Sequence, residues 1–194
     1  AHYNGKIPRN PFAMYHVDPD HKEREFLTLD ELTAMTEVKL EDPNMAFARD
    51  LFIFGCWTGI SFIDIKNLTE DNINMVNSAP WIVSKRQKTG VPFQIKLMDI
   101  PMQIVERYKF FRKGNHLFNI GNLDGINKRI KKVAVMCGIK KRVSFHVSRH
   151  SWAVLALEYG MPIESVSKIL GHTNITTTQI YAKVTSTKLD HDIA

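Results

Sequence analysis

The chain has 194 residues, is 44% hydrophobic, and carries 26 Lys plus Arg against 20 Asp plus Glu, a formal net charge of +6. That size supports one main core, and the basic excess points to a polyanionic partner. Two cysteines, Cys56 and Cys137, no apolar run of about 18 residues and no signal peptide argue against a disulfide-stapled secreted scaffold and against a helical membrane protein, so a soluble protein of a reducing compartment is expected.

Residues 1–27 are polar, aperiodic and punctuated by Pro8, Pro11 and Pro19, the pattern of a linker leading back to another domain. TLDE at Thr28 to Glu31 spells a capping box and predicts a helix running to Leu40. Asn44 is the expected cap of a second helix, NMAFARDLFIFGCWTG, stopped by Gly59; SFIDIKNL predicts a short third. Between Asp71 and Met98 the pattern turns to β-type runs, NINMV, PWIVS and PFQIKLM, which predict a three-stranded antiparallel meander. Pro101 is expected to open a helix to about Lys113. Three more helices should end at Gly138, Gly160 and Gly171, and Asn174 should cap a last one, NITTTQIYAKV. The expected fold class is therefore mixed and mainly α, a helical domain over residues 28–184 with one small three-stranded antiparallel sheet, followed by a short tail at 185–194.

Chemistry concentrates in three places. Between Ile126 and Val143 stand Lys128, Arg129, Lys131, Lys132, Lys140, Lys141 and Arg142 with no acidic residue, a positive patch suited to phosphodiester backbones. A solvated helix face explains it as well. In SFHVSRHSW, His146 and Arg149 lie three apart on one helix, near its first turn, where the helix dipole also favours an anion; together they can donate to the oxygens of one phosphate. His150 has the i, i+4 spacing of a zinc-binding histidine pair with His146. The glutamate of that motif is Val147 here and Arg149 would set a cation beside the metal, so no metal site is expected and His150 reads as a packing residue. Finally, IESVSKILGHTNITTTQIY has the outline of a helix-turn-helix, which would make the chain a non-catalytic DNA-binding module. That outline gives no reason for Tyr181 at the inner end of the second helix, nor for the HxxR pair before it.

Taken together, HVSRHSWA, LGHTNITTTQIYAKV and the upstream KRQKTG resemble the catalytic domain of the tyrosine recombinase (phage integrase) family, and RNPF, LTLDEL and CWTGISFIDIKNL extend the resemblance over nearly the whole chain. The resemblance implies an enzyme, a site-specific recombinase that cuts and rejoins double-stranded DNA through a 3′-phosphotyrosine. Mobile-element integration and excision, or DNA inversion, is the expected setting. It implies Tyr181 as nucleophile, Arg149 as phosphate ligand, His146 as general acid/base or phosphate donor, and His172 as a second donor. Lys88 best matches the hairpin lysine that protonates the leaving oxygen, with Lys85 as the alternative, and Lys85 and Arg86 join the seven patch residues as DNA contacts. No cofactor is implied. Self-association into a tetrameric synapse on DNA, a monomer free in solution, no membrane partner and a place on the nucleoid in the bacterial cytoplasm are the further expectations.

One position departs from the pattern. The family reads TGLR where this chain has TGIS, so Ser61 stands where the first arginine belongs. Arg49 is the expected substitute, because it shares a helix face with Met45, Phe52, Ile53 and Cys56 and an unpaired guanidinium there would need an anion. An ordinary buried ion pair would satisfy the same need.

Overall fold

Thr28 caps the first helix as its sequence predicts. In the computed structural model, which describes residues 25–183, Thr28 Oγ1 accepts from the Glu31 backbone N–H at 3.3 Å while Glu31 Oε2 accepts from that of Thr28 at 2.8 Å. This capping box opens α1 (Leu29–Glu37). Thr28→Ala is expected to lower stability by about 1 kcal/mol, read as a shift of the urea midpoint without a change of slope. Most of the expected linker (residues 1–24) and the expected tail (185–194) lie outside the described residues. Leu27 is fully buried and its N–H donates to Ser151 Oγ at 2.8 Å, so the end of that entry segment is docked on the domain.

The helix stops three residues short of Leu40, and Arg49 is the reason. Its Nη1 donates to the carbonyls of Met35, Thr36 and Val38 at 3.2, 3.0 and 3.1 Å, occupying acceptors that a further turn would have used. Asp42, not Asn44, caps α2 (Pro43–Thr58): its side chain accepts from the Asn44 N–H at 2.8 Å, with Pro43 at the first helical position where its missing N–H costs nothing. Buried from Ala48 to Cys56, α2 is the central helix, packed by α1, by α4 (Asp99–Arg107), by α5 (Leu123–Met136) and by α6 (Phe145–Glu158). It ends at Gly59 in the left-handed conformation, φ 64°, and α3 (Phe62–Asn67) follows.

The meander has the expected form. Strands β1 (Ile73–Val76), β2 (Ala79–Lys85) and β3 (Pro92–Lys96) are antiparallel in chain order, and Ile82 lies opposite Ile73 on one side and Ile95 on the other. Ile82, Phe93 and Ile95 are buried, so one face joins the core. α4 begins two residues before Pro101, which sits in its first turn. It ends at Arg107, with a separate 3-10 turn at Lys109–Phe111 instead of a helix through Lys113. α7 (Ile163–Leu170) ends at Gly171, and Asn174 Oδ1 accepts from the Thr176 N–H at 2.9 Å to open the helical stretch 176–183. A second apolar cluster, Trp152, Ala153, Val154, Val166, Leu170 and Tyr181, ties α6, α7 and this stretch together. Among the described residues, no helix is long and apolar enough to cross a membrane.

Candidate active site

The end of α7 organises the site. Gly171 takes φ 64°, and the His172 N–H reaches back to the Ser167 carbonyl at 3.0 Å, the wrapped turn that a left-handed glycine permits. The carbonyls of Ile169 and Leu170 are thereby left at the negative end of the helix, where cations are favoured. Two guanidiniums take them. Arg86, from the β2–β3 connection, donates through Nη2 to Ile169 O, and Arg149 on α6 donates through Nη2 to Leu170 O. Arg149 Nη1 also donates to Gly59 O at 2.8 Å, so a single guanidinium bridges the ends of α2 and α7.

Arg86 is the residue that sequence spacing did not single out. Expected as a DNA contact, it is only 5% exposed, lies 3.9 Å above the centre of the Phe93 ring, and pairs through Nη1 with Asp64 Oδ2 at 3.0 Å. Asp64 also accepts from the Gln87 N–H at 2.8 Å and from Ser61 Oγ at 2.7 Å. Ser61 is the cap of α3, its hydroxyl in turn accepting from the Asp64 N–H. The position lacking an arginine is thus joined through one carboxylate to an arginine that arrives from the hairpin. Arg86 Nε is buried without a hydrogen-bond partner among the described residues, which leaves donor capacity beside the cleft.

A cleft of about 370 Å³ brings Arg86, Arg149, His146, His172, Lys88 and Tyr181 together, with Ser61 and Asp64 on its wall. His146 is exposed at the start of α6, and a second hollow, bounded by Ser61, Asn127 and Arg149, also reaches it. His172 Nδ1 meets the fully buried Thr178 hydroxyl at 2.8 Å, which fixes the ring. Tyr181 is 2% exposed, and its hydroxyl lies 2.7 Å from Nδ1 of His150. Here the reading of His150 as a packing residue is incomplete: it is buried, and it also holds the phenol. Lys88, exposed on the hairpin connection, lines the cleft, whereas Lys85 does not.

Electrostatically, two guanidiniums outweigh the single carboxylate, Asp64, on the wall of the cleft. Burial, then the neighbouring Arg86 charge, pushes the Arg149 guanidinium down to about 10, only partly offset by Tyr181 and Asp64. Burial likewise lowers Arg86, against the hydrogen bond and charge of Asp64. Both stay protonated at neutral pH, so two desolvated cations face one hollow, and a bound anionic oxygen would relieve both.

Arg49 lies outside this cleft. Its anion is the adjacent Asp50, at 2.5 Å from Nε, and Asp50 Oδ2 also accepts from Arg107 at 2.6 Å and from the Tyr108 hydroxyl at 2.8 Å. With Nη1 on the carbonyls at the end of α1, Arg49 serves as a structural clamp, and the expectation that it replaces the missing arginine is corrected on that ground. None of the seven patch residues lines the cleft either. Lys128 pairs with Asp124 at 2.8 Å and Lys141 with Glu31 at 2.6 Å, while Arg129 donates to Gly125 O at 3.0 Å. Lys131, Lys132, Lys140 and Arg142 are exposed.

The phage integrase family matches residues 25–188. Tyrosine recombinase XerD of Staphylococcus aureus is 28% identical over 181 residues, 88% of this chain and 61% of that protein. A tyrosine recombinase of Pseudothermotoga lettingae is 44% identical over 55 residues, 28% of this chain and 19% of that protein. Among solved structures, the XerH site-specific recombinase in a post-cleavage complex with palindromic difH substrate has a TM-score of 0.76 at 17% identity, covering 92% of this chain and 55% of that one. A lambda integrase dimer bound to a COC′ core site has a TM-score of 0.72 at 18% identity, covering 92% and 66%. These likenesses show the fold, and the chain spans 61% of the length of the XerD relative.

Proposed function

The chain belongs to the phage integrase family, and on that premise we propose that it is the strand-cutting and rejoining domain of a site-specific DNA recombinase working through a 3′-phosphotyrosine. The observation that carries the reading is the convergence of Tyr181, Arg149, Arg86, His146, His172 and Lys88 on one cleft, from four separate stretches of chain. Tyr181 Oη attacks the phosphorus of a DNA phosphodiester, the bond to the 5′ oxygen breaks, and Lys88 supplies the proton that the departing oxygen needs. Arg149 and Arg86 counter the charge gathering on the non-bridging oxygens, with His146 and His172 as further donors. Rejoining is the reverse: a 5′-hydroxyl attacks the phosphotyrosine, whose bond energy is retained, so the scheme calls for no nucleotide.

Arg86 answers the departure at Ser61. Already desolvated, braced by Asp64 and seated on Phe93, it loses little freedom on meeting a phosphate. The helix-turn-helix alternative offers no role for a buried tyrosine hydroxyl on His150 or for a buried Thr178 holding His172. Mobile-element integration and excision or DNA inversion, a tetrameric synapse assembled from monomers on DNA, phosphate contacts by Lys85 and the basic patch, and action on the bacterial nucleoid belong to the same proposal.

The test is a trapped intermediate. Duplex DNA from the ends flanking the protein's own gene, nicked so that the strand bearing the freed 5′-hydroxyl diffuses away, is incubated with the protein, which is then digested with trypsin. The expected product is the peptide spanning residues 169–183 with a nucleotide on Tyr181. Tight retention of the same DNA with no adduct would instead identify a binding module.

A further inference from the structure

The phenol of Tyr181 must lose a proton as it attacks, and the ring nitrogen in contact with it belongs to His150, not to His146. We propose that His150 is a catalytic residue that holds the hydroxyl in line and takes its proton; this rests on the reading of Tyr181 as nucleophile. The contact is the motivation: His150 Nδ1 lies 2.7 Å from Tyr181 Oη, with the two rings tilted at 45° and their centres 5.4 Å apart. Both side chains are buried, at 6% and 2% exposure, where a hydrogen bond between neutral partners is favoured and water competes poorly.

The direction of transfer follows from the surroundings. Arg149 is the preceding residue, and its guanidinium already feels the charge of Arg86, so the surroundings of His150 are already cationic. With its ring proton on Nε2, its Nδ1 lone pair accepts from the phenol. The balance on attack is simple: the Tyr181 O–H proton passes to Nδ1, the Oη–P bond forms, the P–O5′ bond breaks, and the 5′ oxygen takes a proton from Lys88. The imidazolium then faces a phosphoryl group of increasing negative charge. In rejoining it returns the proton to the departing phenolate. His146, whose ring centre is 4.3 Å from that of His150 in an edge-to-face arrangement, fixes the ring from the solvent side and leaves Nδ1 aimed at Tyr181.

A sulfur substrate separates the two ends of the reaction. When the scissile phosphate carries a bridging 5′ sulfur, the thiolate leaves without protonation, so a lost acid becomes unimportant while a lost proton acceptor does not. We compare adduct formation by the full chain on nicked duplexes with oxygen or sulfur at that position. His150→Asn, which keeps an acceptor near the place of Nδ1 without its basicity, is expected to be slowed on the order of 100-fold on both, as is His150→Ala. Lys88→Ala should be slow on oxygen and recover on sulfur. His150→Asn reacting within a few-fold of wild type, recovery of either His150 variant on sulfur, or His150→Asn failing to fold, which would mark a packing role, overturns the proposal. If the wild type forms no adduct on either DNA, or Tyr181→Phe still forms one, it is the reading of the site that has failed, a result distinct from all of these.

Discussion

Arg86→Ala is expected to slow adduct formation on the order of 10²–10³-fold, the loss that follows when one fixed charge is removed from a developing oxyanion. Arg49→Ala is expected to do the reverse: its loss leaves Asp50 buried with a weaker set of partners and frees the carbonyls at the end of α1, so stability falls by about 3–5 kcal/mol. Below its melting temperature, each folded Arg49→Ala molecule should still cleave at nearly the wild-type rate. The comparison therefore reads rate per folded protein against unfolding midpoint for both variants. Arg86→Ala also removes an ion pair from Asp64, so some destabilisation is expected there too, and Arg86→Lys, which keeps the charge without the planar fork, should fall between. The decisive addition is Ser61→Arg in the Arg86→Ala background. Because Ser61 Oγ and Arg86 Nη1 share Asp64 Oδ2, an arginine placed at 61 has the same carboxylate to brace it, and about tenfold of the lost rate should return. Arg86→Ala cleaving as fast as wild type would falsify the assignment outright.

Gly171→Ala should be nearly as damaging to catalysis, through a different route. The residue sits at φ 64°, where an L side chain costs about 1–2 kcal/mol. A Cβ there would also lie 2.7 Å from Arg86 Cγ and 3.0 Å from its Nε. Those atoms belong to a side chain whose guanidinium is already pinned by Asp64 and Ile169 O, so relief comes only by moving Arg86 off its seat. The stability loss is modest; the expected loss of cleavage is again on the order of 10²-fold. The double variant Gly171→Ala/Arg86→Ala should be no slower than Arg86→Ala alone, since a displaced side chain and a missing one are equivalent to the phosphate. Losses that multiply instead would mean that Gly171 acts on something other than Arg86.

What was readable in advance, and what was not, divides along the range of the interactions. The capping box at Thr28, the glycine stops at 59 and 171, the Asn174 cap and the three strands depend on residues within a few positions, and each is where its local chemistry puts it. Asn44 lost to Asp42 because two cap-forming residues flank Pro43 and only the first lets the proline take the opening position. The convergence of HxxR, LGH and the tyrosine on one cleft followed the family resemblance. The fate of the arginines did not. Arg49 was rightly seen to need an anion, yet its choice of Asp50 and of the carbonyls after α1 is a matter of how α1 and α2 dock. Arg86 stands in KRQKTG among residues that are exposed on a turn, and its burial arises from Asp64, Phe93 and Ile169, none a neighbour in sequence. His150 was correctly placed on the inner side of α6. That its partner there would be a hydroxyl and not a methyl group depends on a helix 31 residues further on.

Both charges that the phosphate would meet hang from consecutive carbonyls at the tip of one eight-residue helix. A tilt of α7 would therefore remove one anchor from each guanidinium together, leaving Arg86 on Asp64 and Arg149 on Gly59 O, so that the two arginines are coupled through one helix. The groove where Ser165, Lys168 and Ile169 of that helix face Trp81 and Phe93 of the sheet lies on the same lever as both guanidiniums.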